Sequence, residues 1–413
     1  MAQPIIVIAG KDPTASHGGT ESYLRAYGRA AIKAGYHPHF FCAGPRAAVG
    51  ETEFGTVHCA RSPFRPYRGL MLAFHQRFIL DCVARFAVPD RAPYLVHSFG
   101  PWGGVGTAVG ERLERRGIET VRVVTAFTTY RHETVAKVRG MGAGYPLALR
   151  LQHWLELNWV RLTVDRAERR GLQAARTVFV NYDSVQAIIE AQYGSGIRFA
   201  KMTYSSEAAF LRRDTPRSAR PETIATLRPR DAPLLVSVSR HDGRKGLNVL
   251  LHALAELRRH GAAFRACLVG GGPLLAAHRR LAEQLGLAES VAITGWVDDS
   301  YAYLEHADVF VLPSLEEGSG SVSLLEAMQA GAAPVLSRVD GIPEDVRDGE
   351  SALLVEPSDA ALLASALARL LSDAPLRQRM ARAAHECFIG RFSAEAFVAD
   401  LRMNYERLGF PPA

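Results

Sequence analysis

Between Pro313 and Gly331 the chain reads PSLEEGSGSVSLLEAMQAG, directly after the apolar run Val309-Phe310-Val311-Leu312. This is the pattern of a buried strand, a Gly/Ser-rich loop carrying carboxylates, and a helix opening at Val322 or Ser323. Small residues let a ligand approach the backbone, unpaired N–H groups point toward it, and the helix dipole favours its negative charge. Glu317 and Glu326 cannot bind phosphate, so their expected partners are hydroxyl groups. A capping box, Ser323-x-x-Glu326, is a competing explanation for Glu326. Phosphate donors beside hydroxyl acceptors describe a site for a nucleotide sugar.

Three further loops of the second half carry residues of the same kind. In Ser239-Arg240-His241-Asp242-Gly243-Arg244-Lys245-Gly246, Arg240 and Lys245 flank a glycine turn. Both cations could reach one diphosphate, Arg as a fork and Lys as a compact charge; the alternative is two solvated surface cations. Val269-Gly270-Gly271-Gly272-Pro273 is a tight strand-to-helix turn without the G-x-G-x-x-G spacing, since Leu stands at 275. In Gly295-Trp296-Val297-Asp298-Asp299, backbone groups could read a base edge, or the loop could be ordinary with Trp296 packed on its neighbours. In the first half, Ser16-His17-Gly18-Gly19-Thr20-Glu21 places paired glycines ahead of a helix. It offers N–H groups to an anion, or is simply a turn with Thr20 as N-cap.

These loops need elements to hold them. Both halves alternate short apolar strands with amphipathic helices, the pattern of parallel sheets covered on both faces. The first half predicts strands at Ile5–Ala9, His37–Cys42, Leu95–His97, Val121–Thr125 and Val178–Val180, with helices starting near Glu21, Tyr67, Gly104, Pro146 and Ser184. The second predicts Leu234–Ser239, Ala266–Val269, Val291–Thr294, Val309–Leu312, Ala333–Leu336 and Ala352–Val355, so every candidate loop falls at the carboxyl end of a strand, where open α/β sheets bind ligands. Leu151, Trp154, Leu155, Trp159 and Leu162 share one helical face, read as core rather than as a membrane-surface stripe. The join falls at Leu211–Pro233, and Ser393 can cap a last helix ending near Leu408. The expected division is 1–210, 211–390, and a C-terminal helix in 391–413 packing back on the first domain.

With 413 residues and almost half of them apolar, the chain suits two soluble domains. No apolar run reaches the roughly 20 residues a bilayer span needs, and the opening MAQPIIVIAG lacks the pattern of a signal peptide. A cytoplasmic protein is expected. Cys42, Cys59, Cys82, Cys267 and Cys387 are scattered, form no CxxC, and read as reduced thiols rather than a disulfide framework or zinc site. The formal charge of +7 gathers at Arg61, Arg65, Arg68, Arg77 and Arg85, and at Arg161, Arg166, Arg169 and Arg170. It suggests contact with anionic lipid headgroups or an acidic acceptor, against the alternative of solvated helix faces. Nucleic acid is not expected as a partner, because no aromatic-interleaved basic motif is present.

Together these residues resemble the large retaining glycosyltransferase family usually numbered four, of the GT-B fold: two Rossmann-like doubly wound α/β domains facing across a cleft. Ser-Arg-His-Asp…Lys-Gly, LVGGGP, GWVDD, ADVFVLPS, EGSG, LLEAMQAG and PVLSRVDGIPEDVRDGESALLVEP follow in the family's order. The likeness implies that Arg240 and Lys245 hold the donor diphosphate, Glu317 hydrogen-bonds the donor sugar, and Glu326 the ribose. It also implies donor contacts from Gly271, Val297, Gly318, Ser319, Gly320 and Ser321, with Gly18 and Gly19 closing from the first domain. The family's two glutamates usually stand eight positions apart, whereas Glu317 and Glu326 are nine apart; Glu316 or Gly318 could then occupy the expected place. The catalytic histidine of many members has no clear counterpart, leaving His97 and His132 as acceptor-side candidates.

The implied activity is retaining transfer from a nucleotide-diphosphate sugar to a hydroxyl acceptor, a glycan, lipid-linked or small molecule, in bacterial polysaccharide or lipid-linked glycan assembly. No cofactor and no metal are expected, in keeping with the absence of a D-x-D motif. A nucleotide-sugar epimerase of the same fold and a non-catalytic sugar-nucleotide or lipid-headgroup binder are the alternatives.

Overall fold

The computed structural model describes residues 2–10, 12–14, 18–62, 72–89, 93–139, 147–212 and 215–413. Ser16, His17, Arg65, Arg68 and the helix starts expected at Tyr67 and Pro146 lie outside them. The chain divides into two compact units. One comprises Met1–Val135, Leu151–Phe210 and Ala394–Ala413; the other comprises Ala136–Arg150 and Leu211–Ser393.

The first unit is built on eight strands: β1 (Gln3–Gly10), β2 (Tyr36–Gly44), β3 (Ala48–Thr52), β4 (Gly55–Arg61), β5 (Tyr94–Phe99), β6 (Thr120–Ala126), β7 (Thr177–Val180) and β8 (Phe199–Lys201). They lie in the order β3-β4-β2-β1-β5-β6-β7-β8. All pairings are parallel except β3 with β4. Central strands such as Ile5-Ile6-Val7-Ile8 are fully buried, because helices cover both faces and every side chain meets apolar neighbours. β3, β4 and β8 were not expected. β3 is exposed along most of its length, so its residues carry no apolar alternation to read.

The second unit has β9 (Leu234–Val238), β10 (Arg265–Val269), β11 (Val291–Gly295), β12 (Val309–Leu312), β13 (Ala333–Ser337) and β14 (Leu353–Val355), in the order β11-β10-β9-β12-β13-β14. All five pairings are parallel. The order reverses between β9 and β12, which makes the carboxyl ends of these two strands the switch point. Leu247, Leu250, Leu251, Leu254 and Leu257, on the helix Leu247–Arg259, pack into the main apolar cluster with β9, β10 and β12 residues.

One expectation is overturned. The helix Leu147–Leu162 turns Glu156 and Val160 inward. Leu151, Trp154, Leu155, Trp159 and Leu162 point outward and are 40–64% exposed. Periodicity found the face but assigned it to the wrong side, since two stripes share the helix and the buried one is the less apolar.

In the first unit, the helix Ala394–Arg407 brings Tyr405 into the core. Its hydroxyl lies 2.6 Å from the Tyr27 hydroxyl and 2.6 Å from His97 Nδ1. The other ring nitrogen of His97 meets Thr125 Oγ1 at 2.7 Å. Burial pushes the His97 pKa down to about 3, so the ring is neutral in the fold. Between about 6.5 and 3 the unfolded chain binds more protons at this residue, and its contribution to stability is lost as pH falls. Glu168 works the other way: burial raises its pKa to about 7, so its share is fully present below its unfolded value and lost as pH rises through 7. The two oppose each other in mild acid. Replacing His97 by Gln therefore removes one side of that balance. Urea unfolding should give a His97→Gln variant less stable than the parent at pH 7, with a gap that narrows by roughly 1.4 kcal/mol per pH unit below about 6.5. A gap independent of pH would contradict the neutral buried ring.

Candidate functional site

Two loops at the switch point of the second unit are clasped together. After β9 the chain makes a 3-10 turn over Gly243–Lys245, begun by Asp242, whose carboxylate accepts from the Arg244 N–H at 3.0 Å. Gly246 then adopts φ 60 and starts the helix Leu247–Arg259. An added Cβ at Gly246 would run into the carbonyl oxygen of Pro313, in the loop after β12. Only glycine serves both the left-handed backbone and that close approach. The Arg244 carbonyl in turn accepts from the Leu315 N–H at 2.7 Å.

That clasp sets Lys245 against Glu317. Their Nζ and Oε2 are 2.5 Å apart, with side chains 16% and 4% exposed. Ser314 Oγ donates to the other Glu317 oxygen at 2.5 Å. Both oxygens of Glu317 are thus engaged within the protein, and in this structure it orients the ammonium of Lys245. Arg240 stands at the opposite end of the same loop. It is exposed, and its guanidinium has no hydrogen-bond or ion-pair partner among the described residues.

The helix mouth is divided in two. The N–H groups of Glu317 and Gly318 both donate to Asp340 Oδ2 at 2.6 Å. Gly318 has φ 83, a left-handed backbone that glycine adopts without the cost of a side chain. This corrects the expectation for Gly318: its donor is already taken by a carboxylate, so its role is to shape the loop. Beyond it, the N–H groups of Ser319, Gly320 and Ser321 have no acceptor among the described residues. Ser321 is the N-cap of the helix Val322–Ala330 and makes no side-chain cap; its hydroxyl meets that of Ser323 at 2.9 Å. Ser323 lies inside the helix, so the capping box with Glu326 does not form. Unpaired N–H groups at a helix start carry partial positive charge, and Lys245 is held by Glu317 in the loop that leads to them.

Gly271 and Val297 border this region through neighbouring loops. The His241 N–H donates to the Gly271 carbonyl at 2.9 Å, and Gly270 bridges Gly295. Trp296 is 60% exposed and not packed away as one reading held. His241 is fully buried, 2.9 Å from His278 Nδ1 to Nδ1, and burial pushes both pKa values down to about 4. A neutral imidazole pair therefore underpins the Arg240 loop.

The first-unit candidates fare differently. Gly18, not Thr20, is the N-cap of the helix Gly19–Lys33; Gly18 and Gly19 are exposed, and a Cβ on Gly19 would touch nothing. His97 is buried with both ring nitrogens committed, which removes it from the acceptor side. His132 is half-buried in the first turn of the helix Tyr130–Arg139, its N–H donating to Thr129 Oγ1 at 3.2 Å.

Asp340 is the residue that sequence reasoning missed. It has φ 45, which Asp and Asn tolerate better than other side-chain-bearing residues, and the Asp340-Gly341 pair was the available signal.

Two units, each built on a largely parallel α/β sheet, have the architecture of the GT-B class of glycosyltransferase folds. The structure of sucrose-phosphate synthase from Thermosynechococcus elongatus superposes with a TM-score of 0.73 at 23% identity, covering 98% of this chain and 99% of that one. Residues 220–386 match the family model described as glycosyl transferases group 1. The lipopolysaccharide core biosynthesis glycosyltransferase LpsE of Rhizobium meliloti is 37% identical over 41% of this chain, a match spanning about half (48%) of that protein. A GDP-mannose-dependent alpha-(1-6)-phosphatidylinositol monomannoside mannosyltransferase of Mycolicibacterium smegmatis is 29% identical over 75% of this chain and 87% of its own length.

The Asp340 brace carries a prediction. Asp340→Ala removes two charge-assisted hydrogen bonds worth roughly 1.5–3 kcal/mol each, and should lower the melting temperature measurably. Asp340→Asn keeps the left-handed backbone and one acceptor, and should lose less than half as much. Thermal melts of both variants check this; an Ala variant that melts with the parent would remove Asp340 from the site.

Proposed function

We propose that the chain transfers a sugar from a nucleotide-diphosphate sugar to a hydroxyl acceptor, with the donor diphosphate held in the second unit by Arg240, Lys245 and the N–H groups of Ser319, Gly320 and Ser321. The observation that carries this reading is the pairing of an oriented Lys245 with a helix start whose donors have no acceptor among the described residues. The match of residues 220–386 to the glycosyl transferases group 1 model supports it. As the sugar–phosphate bond breaks, negative charge grows on the departing diphosphate, and groups already aimed at it stabilise that charge without reorganising. Glu317 holds Lys245 in place, Glu326 is assigned to the ribose, and Gly271 and Val297 to the base side.

Retention of configuration is part of the proposal. The acceptor oxygen attacks on the face the leaving group departs from, and a diphosphate oxygen takes its proton. The first unit is assigned to the acceptor. Charge neutralisation at the diphosphate is assigned to the two cations, without a metal. The relatives' names support a bacterial lipid-linked or surface glycan as acceptor.

Steady-state assays on variants test the assignment. Arg240→Ala and Lys245→Ala should each lower kcat/KM by roughly 10²-fold or more, with unchanged circular dichroism. Near-parental kinetics in both would dismiss the diphosphate clamp. The anomeric configuration of the product, read by NMR coupling constants, decides retention: inversion would refute that part alone.

The exposed stripe of the helix Leu147–Leu162 supports a second assignment, contact with an anionic membrane surface. Trp154 and Trp159 are 54% and 40% exposed; Arg161 on the same helix and Arg166, Arg169 and Arg170 on the helix Val164–Ala174 are exposed too, Arg170 paired with Glu111. Two indoles and a basic rim suit the bilayer interface. No helix of the described residues is long and apolar enough to cross a membrane; the proposed contact is peripheral, at the cytoplasmic face. Cosedimentation with phosphatidylglycerol vesicles should fall at least about 10-fold in a Trp154→Ser, Trp159→Ser double variant. Equal binding by parent and variant would rule the stripe out.

A further inference from the structure

The first unit holds a cluster with no part in sugar transfer. Cys42 on β2 and Cys59 on β4 are direct partners across the parallel pair, and Gly10, closing β1, is the partner of Cys42 on its other side. Two residues beyond Gly10 stands Asp12. The sulfurs of Cys42 and Cys59 and a carboxylate oxygen of Asp12 all lie within 4.8 Å of one another. The five cysteines are spread along the sequence, yet the strand order β4-β2-β1 brings two of them to one carboxylate at the carboxyl edge of the sheet, the edge at which α/β sheets take ligands.

The spacing suits one central cation. Zinc binds thiolate sulfur at roughly 2.3 Å and carboxylate oxygen at roughly 2.0–2.2 Å, so ligand atoms on one ion cannot be more than about 4.6 Å apart. The three ligand atoms all lie within 4.8 Å of one another, so no pair exceeds that limit by more than about 0.2 Å. Both thiols are free, Cys42 is buried, and Cys59 and Asp12 are half-buried, so the cluster is sheltered but reachable. Thr14 fixes the carboxylate: its N–H and its hydroxyl donate to Asp12 Oδ1 at 2.8 and 2.6 Å. Oδ2 is left without a partner among the described residues. A metal ligand held by an outer hydrogen bond is the usual arrangement.

We propose that Asp12, Cys42 and Cys59 form a binding site for a borderline-soft divalent cation, zinc in the first place, in the first unit. Two thiolates select against magnesium and calcium, which prefer oxygen ligands throughout. On binding, each thiol gives its proton to solvent and its sulfur bonds the ion; three protein ligands leave a fourth position for water or another donor. Because Asp12 stands in the connection from β1 to the helix Gly19–Lys33, the ion would pin that connection to β2 and β4. The expectation from sequence that the cysteines form no zinc site is revised for this pair.

Cobalt(II) is the probe, since its thiolate charge-transfer band reports sulfur ligation directly. Chelator-treated full-length protein, with its five thiols first counted as reduced, should take up one cobalt with a thiolate band that zinc abolishes. Zinc should also raise the melting temperature. Cys42→Ser and Cys59→Ser should lose the band, while Cys267→Ser and Cys387→Ser keep it. Asp12→Asn should keep thiolate character at saturation but bind roughly 10-fold or more weakly. A reduced parent protein with no thiolate band overturns the proposal, whatever the variants do. So does a band that survives Cys59→Ser in a folded protein, or peroxide-driven joining of Cys42 to Cys59 in protein that takes up no cobalt.

Discussion

The second unit depends on one contact, the seating of the loop after β9 on the loop after β12. Gly246 must approach the Pro313 carbonyl, Arg244 must accept from Leu315, and only then does Lys245 reach Glu317. A lysine at the surface would have several free rotamers and a strongly hydrated charge. Here Glu317, itself 4% exposed, fixes the ammonium beside the helix mouth. A pair this well buried is not a source of net stability; removing either partner leaves the other charge poorly compensated. Its use is orientation, in a place where an anion can recover what desolvation costs.

Asp340 extends the same logic to the backbone. By accepting from Glu317 and Gly318 it satisfies two donors that would otherwise compete for an anion. That leaves the N–H groups of Ser319, Gly320 and Ser321 as the ones without an acceptor among the described residues. The mouth is therefore a selected set of N–H groups and not the whole end of a helix. The neutral His241–His278 pair beneath the Arg240 loop adds no charge to this region.

Much of this was legible in the residues. The six strands of the second unit are short apolar runs, each closed by Gly, Pro or Ser, so element order and the placement of loops at strand ends follow from pattern alone. Lys245 and Glu317 stand far apart in sequence but share a switch point; the family likeness gave each a separate donor-side role, and their direct pairing was not legible. Asp340 was not legible, because its role rests on a backbone angle and on a contact across two loops. The helix Leu147–Leu162 misled for a different reason. Hydrophobic periodicity marks a face, and burial alone decides which way it points. Cys42 and Cys59 escaped because they meet through strand pairing, a non-local relation that cysteine spacing does not carry.

The central claim is that the mouth recognises a pyrophosphate, and calorimetric titration of the unmodified protein with nucleoside diphosphates and their monophosphates tests it most directly. The account predicts that the favoured base binds at least about 10-fold more tightly as diphosphate than as monophosphate, since the second phosphate meets charged donors worth more than 1.4 kcal/mol. Equal affinity for the two, across bases, would contradict it.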